Sequence, residues 1–189
     1  MIGPRLSKAS KMPCRSWSLQ AKDTCPGAWK SKRRELVDAC KGCYATTGNY
    51  NYPNVKAPRI HNREDWKRKE WVSEMVEEID SNDRYFRWFD SGDIYHTKLA
   101  EKIYAVCAAT PHCQHWIPTR SYKFKKFKSV LAALDSLPNV KVRYSSDSIL
   151  GEYTPGLHGS TIMPEEHKDS SITKCEAYER GGKCGSCRL

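Results

Sequence analysis

The chain has 189 residues, 39% of them hydrophobic, and carries a formal net charge of +10 at neutral pH. That length can bury a core as one domain, and no apolar run approaches the ~18–20 residues that span a bilayer, so disordered and membrane-embedded classes are excluded. The positive balance points to an anionic partner: nucleic acid, a nucleotide cofactor or an acidic protein.

The first residues, "MIGPRLSKASKMPCRSWSL", are charged and lack the apolar segment of a signal peptide, so a cytoplasmic location is expected. Alternation of Trp17, Leu19 and Ala21 with polar residues predicts a strand over 15–21. A cysteine-bearing loop follows. Asn62 reads as an N-cap, with Asp65 three residues on, opening a helix to about Asp80. "RYFRWFD" (84–90) reads as a strand ending at "SGD", and Leu99, Ile103, Val106 and Cys107 mark one face of a helix over 97–109. "QHWIPT" (114–119) is another strand. Ser121 reads as the cap of a helix carrying Phe124, Phe127, Leu131 and Leu134, closed by Pro138. "VKVRYSS" (140–146) alternates as a strand does, and "STIM" (160–163) is a short final one.

Strands alternating with helices predict an α/β fold with a parallel sheet. Residues 1–164 form the expected domain, with 165–189 as a cysteine-rich tail packed on it. In parallel α/β folds, ligand groups gather where strands end. Asp93, Arg120, Ser146 and Asp147 fall at three such ends and are the candidate lining of a small-molecule or nucleotide-like pocket. Arg120 suits a carboxylate or phosphate, and the aspartates suit an amino group or ribose hydroxyls. The same residue types also cap helices.

Nine cysteines in a reducing compartment read as metal or redox groups more readily than as disulfides. Cys40 and Cys43 form a C-x-x-C pair, and Cys25 precedes them by fourteen intervening residues. Lys30, Lys32, Arg33 and Arg34 would stabilise thiolates beside them. A second trio, Cys175, Cys184 and Cys187, contains another C-x-x-C among glycines. Three thiolates suit a [4Fe–4S] cluster with one open iron, or zinc at the C-terminal site. Cys14, Cys113, His112, His115 and His158 are candidates for a fourth ligand, whereas Cys107 fits a buried apolar stripe. Trp66, Trp71, Tyr85, Trp88 and Trp116 could stack nucleic-acid bases, or fill the core.

The combination "TCPGA" (24–28), "C-x-x-CYA" (40–45), "FDSGD" (89–93), "TRS" (119–121) and "KCGSCR" (183–188) resembles the phage-encoded gene product 88 family. That resemblance implies an iron–sulfur protein of viral origin, acting in the cytoplasm of an infected host. More distantly, the order of elements is similar to radical S-adenosylmethionine enzymes, partial (β/α) barrels whose first loop carries three cluster cysteines. The likeness implies a small partial barrel, one or two [4Fe–4S] clusters and S-adenosylmethionine, with Asp93 placed where that superfamily has a glutamate. Its cysteines are spaced by three and two residues, against fourteen and two here. The expectation is thus an iron–sulfur protein, with a radical-type redox enzyme as its catalytic form. The alternative is a non-catalytic, iron–sulfur- or zinc-stapled basic domain that binds nucleic acid or a host protein.

Overall fold

A computed structural model describes residues 3–30, 35–165 and 172–185. Its centre is a six-stranded sheet: β1 (Leu6–Ser7), β2 (Arg15–Trp17), β5 (Tyr85–Trp88), β6 (Gln114–Thr119), β7 (Val140–Ser145) and β8 (Gly159–Ser160). These strands lie side by side in that order. β1 runs antiparallel on the edge, and β2, β5, β6, β7 and β8 are mutually parallel. A two-stranded ribbon, β3 (Trp29–Lys30) with β4 (Glu35–Leu36), stands apart. The parallel strands follow chain order without reversal, as the strands of a barrel wall do and those of a doubly wound sheet do not. The sheet is open, with β1 and β8 at its edges.

Among the described residues, five α-helices accompany it: α1 (Asp38–Lys41), α2 (Pro53–Asp65), α3 (Trp71–Glu78), α4 (Thr97–Ala109) and α5 (Lys128–Asp135). The helices α3, α4 and α5 press Trp71, Met75, Leu99, Ile103, Val106, Leu131 and Leu134 onto one face of the sheet. They meet Trp17, Phe86, Trp88, Ile117, Val140 and Val142 there. The period of two along β5, β6 and β7 sends these residues inward and their neighbours to the opposite face. Cys107 joins this core as expected.

Strong periodicity set α4 and β6 at the expected residues. Three expectations change. The 15–21 strand stops at Trp17, because the Leu19 N–H leaves the sheet to donate to the Ser91 carbonyl (3.1 Å). The single helix over 62–80 is two helices, the first opening at Pro53, whose fixed φ suits a first helical position. Asn62 is no cap. Its buried amide accepts from the Arg5 N–H (3.0 Å) and donates to the Arg5 and Ser18 carbonyls (2.9 and 3.0 Å), tying α2 to the N-terminal segment. Ser121 is likewise no cap of α5: it opens a 3-10 turn, its hydroxyl donating to the Ile94 carbonyl, and α5 begins only at Lys128.

His115 lies in the core rather than at a ligand position. Its Nδ1 accepts from the Trp88 indole N–H (3.2 Å), so the proton sits on Nε2, 2.8 Å from the Thr110 hydroxyl. That hydroxyl in turn donates to the Val106 carbonyl (2.8 Å). Burial drives the His115 pKa down to about 4. The neutral ring is the form the fold accommodates. Its stabilisation is therefore full above the ordinary pKa near 6.5 and fades as pH falls towards 4, a contribution of about 3 kcal/mol. In a proton NMR titration the His115 ring should remain neutral to about pH 4; a midpoint near 6.5 would place it outside the core.

Candidate functional site

The C-terminal ends of the parallel strands collect nearly every strand-end residue singled out above. Asp93, five residues beyond β5, is buried, and its carboxylate is heavily engaged. Oδ1 accepts from the Thr119 hydroxyl (2.6 Å) and its neighbour's N–H at Ile94 (2.6 Å), and Oδ2 accepts from the Arg120 N–H (2.8 Å). Burial raises its pKa to about 6, even though these three donors and the Arg120 charge pull the other way. Asp93 thus clamps the end of β5 to the end of β6.

Arg120 and Lys123 continue the chain of contacts to β7. The Arg120 guanidinium donates to the Ser146 carbonyl through Nε and Nη2 (3.1 and 2.7 Å). Lys123 Nζ bridges the Gly27 carbonyl (2.7 Å) and Asp147 Oδ2 (2.6 Å). Asp147 also stands 3.5 Å from Arg120 Nε, and its Oδ1 is buried with no hydrogen-bond partner among the described residues. The Ser146 hydroxyl is spent on the loop itself, donating to the Glu152 carbonyl (2.5 Å) and accepting from the Ser148 N–H.

The cysteine loop lies across this surface. Cys25 precedes a 3-10 turn, Pro26–Ala28, and Cys40 sits in α1. Val37 N–H donates to the Ala28 carbonyl (2.9 Å), and Ala28, Val37 and Cys40 form a small apolar cluster against Cys25 and Leu36. Ala39 N–H then donates to the Asp147 carbonyl (2.9 Å), fastening α1 to the end of β7. Two glycines permit the approach. A Cβ on Gly27 would lie 2.5 Å from Arg120 Cβ. One on Gly92, at φ +79°, would lie 2.6 Å from Leu19 Cβ.

Cys40 and Cys43 come close enough to raise the pKa of Cys25, and Cys43 that of Cys40. Cys25 is pushed up to about 12, by burial first and then by the Asp93 charge. Burial also raises Cys40, opposed by the positive charge of Arg120. All three thiols are free, and among the described residues no cysteine is in a disulfide. Any metal must therefore displace protons on binding.

Fit to a metal depends on its size. Among the described residues, no three His, Cys, Asp or Glu side chains converge closely enough to hold a metal ion. Thiolates around one zinc, at Zn–S of about 2.3 Å, stand about 4 Å apart. Thiolates on a cluster each bind a different iron and stand wider. Among the described residues, Cys25, Cys40 and Cys43 thus do not form a single-ion site.

The fourth-ligand candidates do not reach this place. Cys14 precedes β2, His112 and Cys113 precede β6, His115 is its second residue and His158 precedes β8. Cys14, His112, Cys113 and His115 lie on the N-terminal side of the strands, opposite the thiols, while His158 lies level with Arg143 of β7, beside the edge strand β8. In the tail, Cys175 is exposed, and the Cys184 N–H donates to the Lys11 carbonyl (2.9 Å), ahead of β2. Cys187 lies outside the described residues, as do Lys32, Arg33 and Arg34. Lys30 pairs with Glu35 at 3.0 Å. Trp66, Trp71 and Trp88 are core residues, which removes them as base-stacking surfaces.

Two contributors went unread in the sequence. Arg59 on α2 is buried, donates to both Asp90 carboxylate oxygens (3.1 and 2.8 Å) and to the Ser91 hydroxyl (2.6 Å), and holds the "FDSGD" turn in place. Tyr44, next to Cys43, donates its hydroxyl to the Asp90 carbonyl (2.6 Å). Only long-range pairing reveals either. Gly27→Ala should lower stability by roughly 1–3 kcal/mol through this overpacking, read by urea denaturation. A variant as stable as the parent would mean that the loop does not rest on Arg120.

No curated protein and no solved structure matches the chain, and no helix among the described residues is long and apolar enough to cross a membrane. The family model described as Gene product 88 matches residues 3–187, nearly the whole chain. The match takes in both cysteine trios and every strand of the sheet, and the protein belongs to this phage gene-product family.

Proposed function

We propose that this protein is an iron–sulfur protein in which Cys25, Cys40 and Cys43 hold a [4Fe–4S] cluster at the C-terminal end of the parallel strands. The observation that carries the reading is the gathering of three free thiols from two separate segments against Asp93, Arg120 and Asp147. Strands in chain order with helices packed on one face support the finer likeness to a radical S-adenosylmethionine-type partial barrel. When bound, such a cluster supplies one-electron chemistry and an open iron site.

The chain's own residues divide the remaining work. Asp93 acts as an anchor rather than an open ligand, since protein donors already occupy both its oxygens. Ser146 braces its loop. Asp147 Oδ1, beside Cys40, accepts no hydrogen bond among the described residues and stands only in ion-pair contact with Arg120, so it suits an amino group or hydroxyl of a small ligand. Arg120 and Lys123 place positive charge next to the thiols and offset the negative charge of a thiolate-bound cluster.

Alanine substitution of Cys25, Cys40 or Cys43, in protein purified without oxygen, should each remove most of the bound iron and sulfide. Substituting Cys107 should leave both in place, apart from any loss of fold. Iron retained in all three single variants, or zinc as the sole metal, would refute the assignment.

A further inference from the structure

Ahead of β2, the segment that joins β1 to β2 meets the C-terminal tail around a cavity of about 490 Å³. The segment turns where the Met12 N–H donates to the Ala9 carbonyl (3.1 Å). The tail is fastened to that turn twice. Lys183 Nζ donates to the Ser10 carbonyl (2.8 Å), and the Cys184 N–H donates to the Lys11 carbonyl (2.9 Å). The volume falls within the ~300–1,000 Å³ of small-molecule sites, whereas one water needs roughly 10–15 Å³.

Charge of one sign surrounds this space. Lys8, Lys11 and Lys183 all line the cavity, and none of the described residues lining it is acidic. Among the described residues, none of these three lysines is in an ion pair. An ammonium carries three donors, so Lys183 keeps two beyond the one given to Ser10. Like charges around one cleft repel each other and focus their field on whatever enters it. Met12 and Pro13 add an apolar wall beside the lysines. Tyr178 stands at the same place: Lys11 Nζ lies 5.7 Å from its ring centroid, and the residue is 91% exposed. A ring that bare adds almost nothing to the core and is open for stacking.

We infer that this cavity binds a nucleotide carrying at least two phosphates, held by Lys8, Lys11 and Lys183, with its base laid on Tyr178. Lysine binds phosphate as a compact point charge, and adjacent phosphates match three ammonium groups better than one carboxylate does. The apolar wall and the bare ring suit a planar body, which inorganic phosphate lacks. A nucleotide bound here also pins Cys184 and its segment against the domain. The site shares no residue with Cys25, Cys40 and Cys43 or with Asp93, Arg120 and Asp147. It therefore stands whether or not a cluster is present.

The test is titration calorimetry at physiological ionic strength, on the full chain as purified, with its metal content measured in the same samples. The probes are ADP, adenosine, pyrophosphate and a single-stranded oligonucleotide of mixed sequence. ADP should bind best. Lys8→Gln and Lys183→Gln should each weaken it roughly fivefold. Tyr178→Ala should weaken ADP and leave pyrophosphate unchanged. Lys8 is exposed and its side chain makes no hydrogen bond among the described residues, so K8Q keeps the test open if K183Q loosens the tail. No binding of ADP, or binding that K8Q leaves unchanged, overturns the site. Adenosine binding as tightly as ADP overturns the phosphate contacts, and pyrophosphate doing so overturns the contact with Tyr178. Tighter binding of the oligonucleotide overturns the choice of a small molecule.

Discussion

The buried carboxylate of Asp93 is the constraint around which the candidate site is arranged. Two parallel strands ending side by side leave backbone N–H groups with no ladder partner, and a buried N–H must be satisfied. Asp93 satisfies those of Ile94 and Arg120 and takes the Thr119 hydroxyl as well. With the Arg120 backbone fixed, its guanidinium reaches the end of β7, and the Gly27 turn can settle against it at a distance no side chain would permit. The cysteines inherit their positions from that settlement: Cys25 just before the turn, Cys40 on the short helix that Asp147 tethers. The cost is a charge held in an apolar setting, which is why the Asp93 pKa rises to about 6 despite three donors.

The two faces of the sheet do different jobs. On one, Trp17, Phe86, Trp88, Ile117 and Val142 meet three helices and supply the apolar burial that holds the fold together. On the other, Arg87, Trp116 and Lys141 stand level across three strands, with the Arg87 and Arg143 guanidiniums over the Trp116 ring. A period of two makes this division possible, since every second residue of β5, β6 and β7 is free of the core.

Much of this was legible in the sequence where local signals were strong. The apolar spacing of α4 and the compact run of β6 marked their elements to the residue. The polar clusters after β5, β6 and β7 did mark strand ends that share one side of the sheet. Local reading failed where a side chain serves a distant partner. Asn62 and Ser121 have the chemistry of caps, yet one bonds to Arg5 and Ser18 and the other to Ile94. Asp93 and Ser146 have the chemistry of ligand groups, yet protein partners already occupy them. A sequence shows which donors and acceptors exist, not which are already spent. Arg87, Trp116 and Lys141 are invisible as a row until strand register aligns them.

The most direct measurement is the absorption spectrum of protein purified without oxygen, together with its iron, sulfide and zinc content. The account predicts a brown protein with broad absorbance near ~400 nm and matching iron and sulfide, as thiolate-held clusters show. A colourless protein containing only stoichiometric zinc would contradict it.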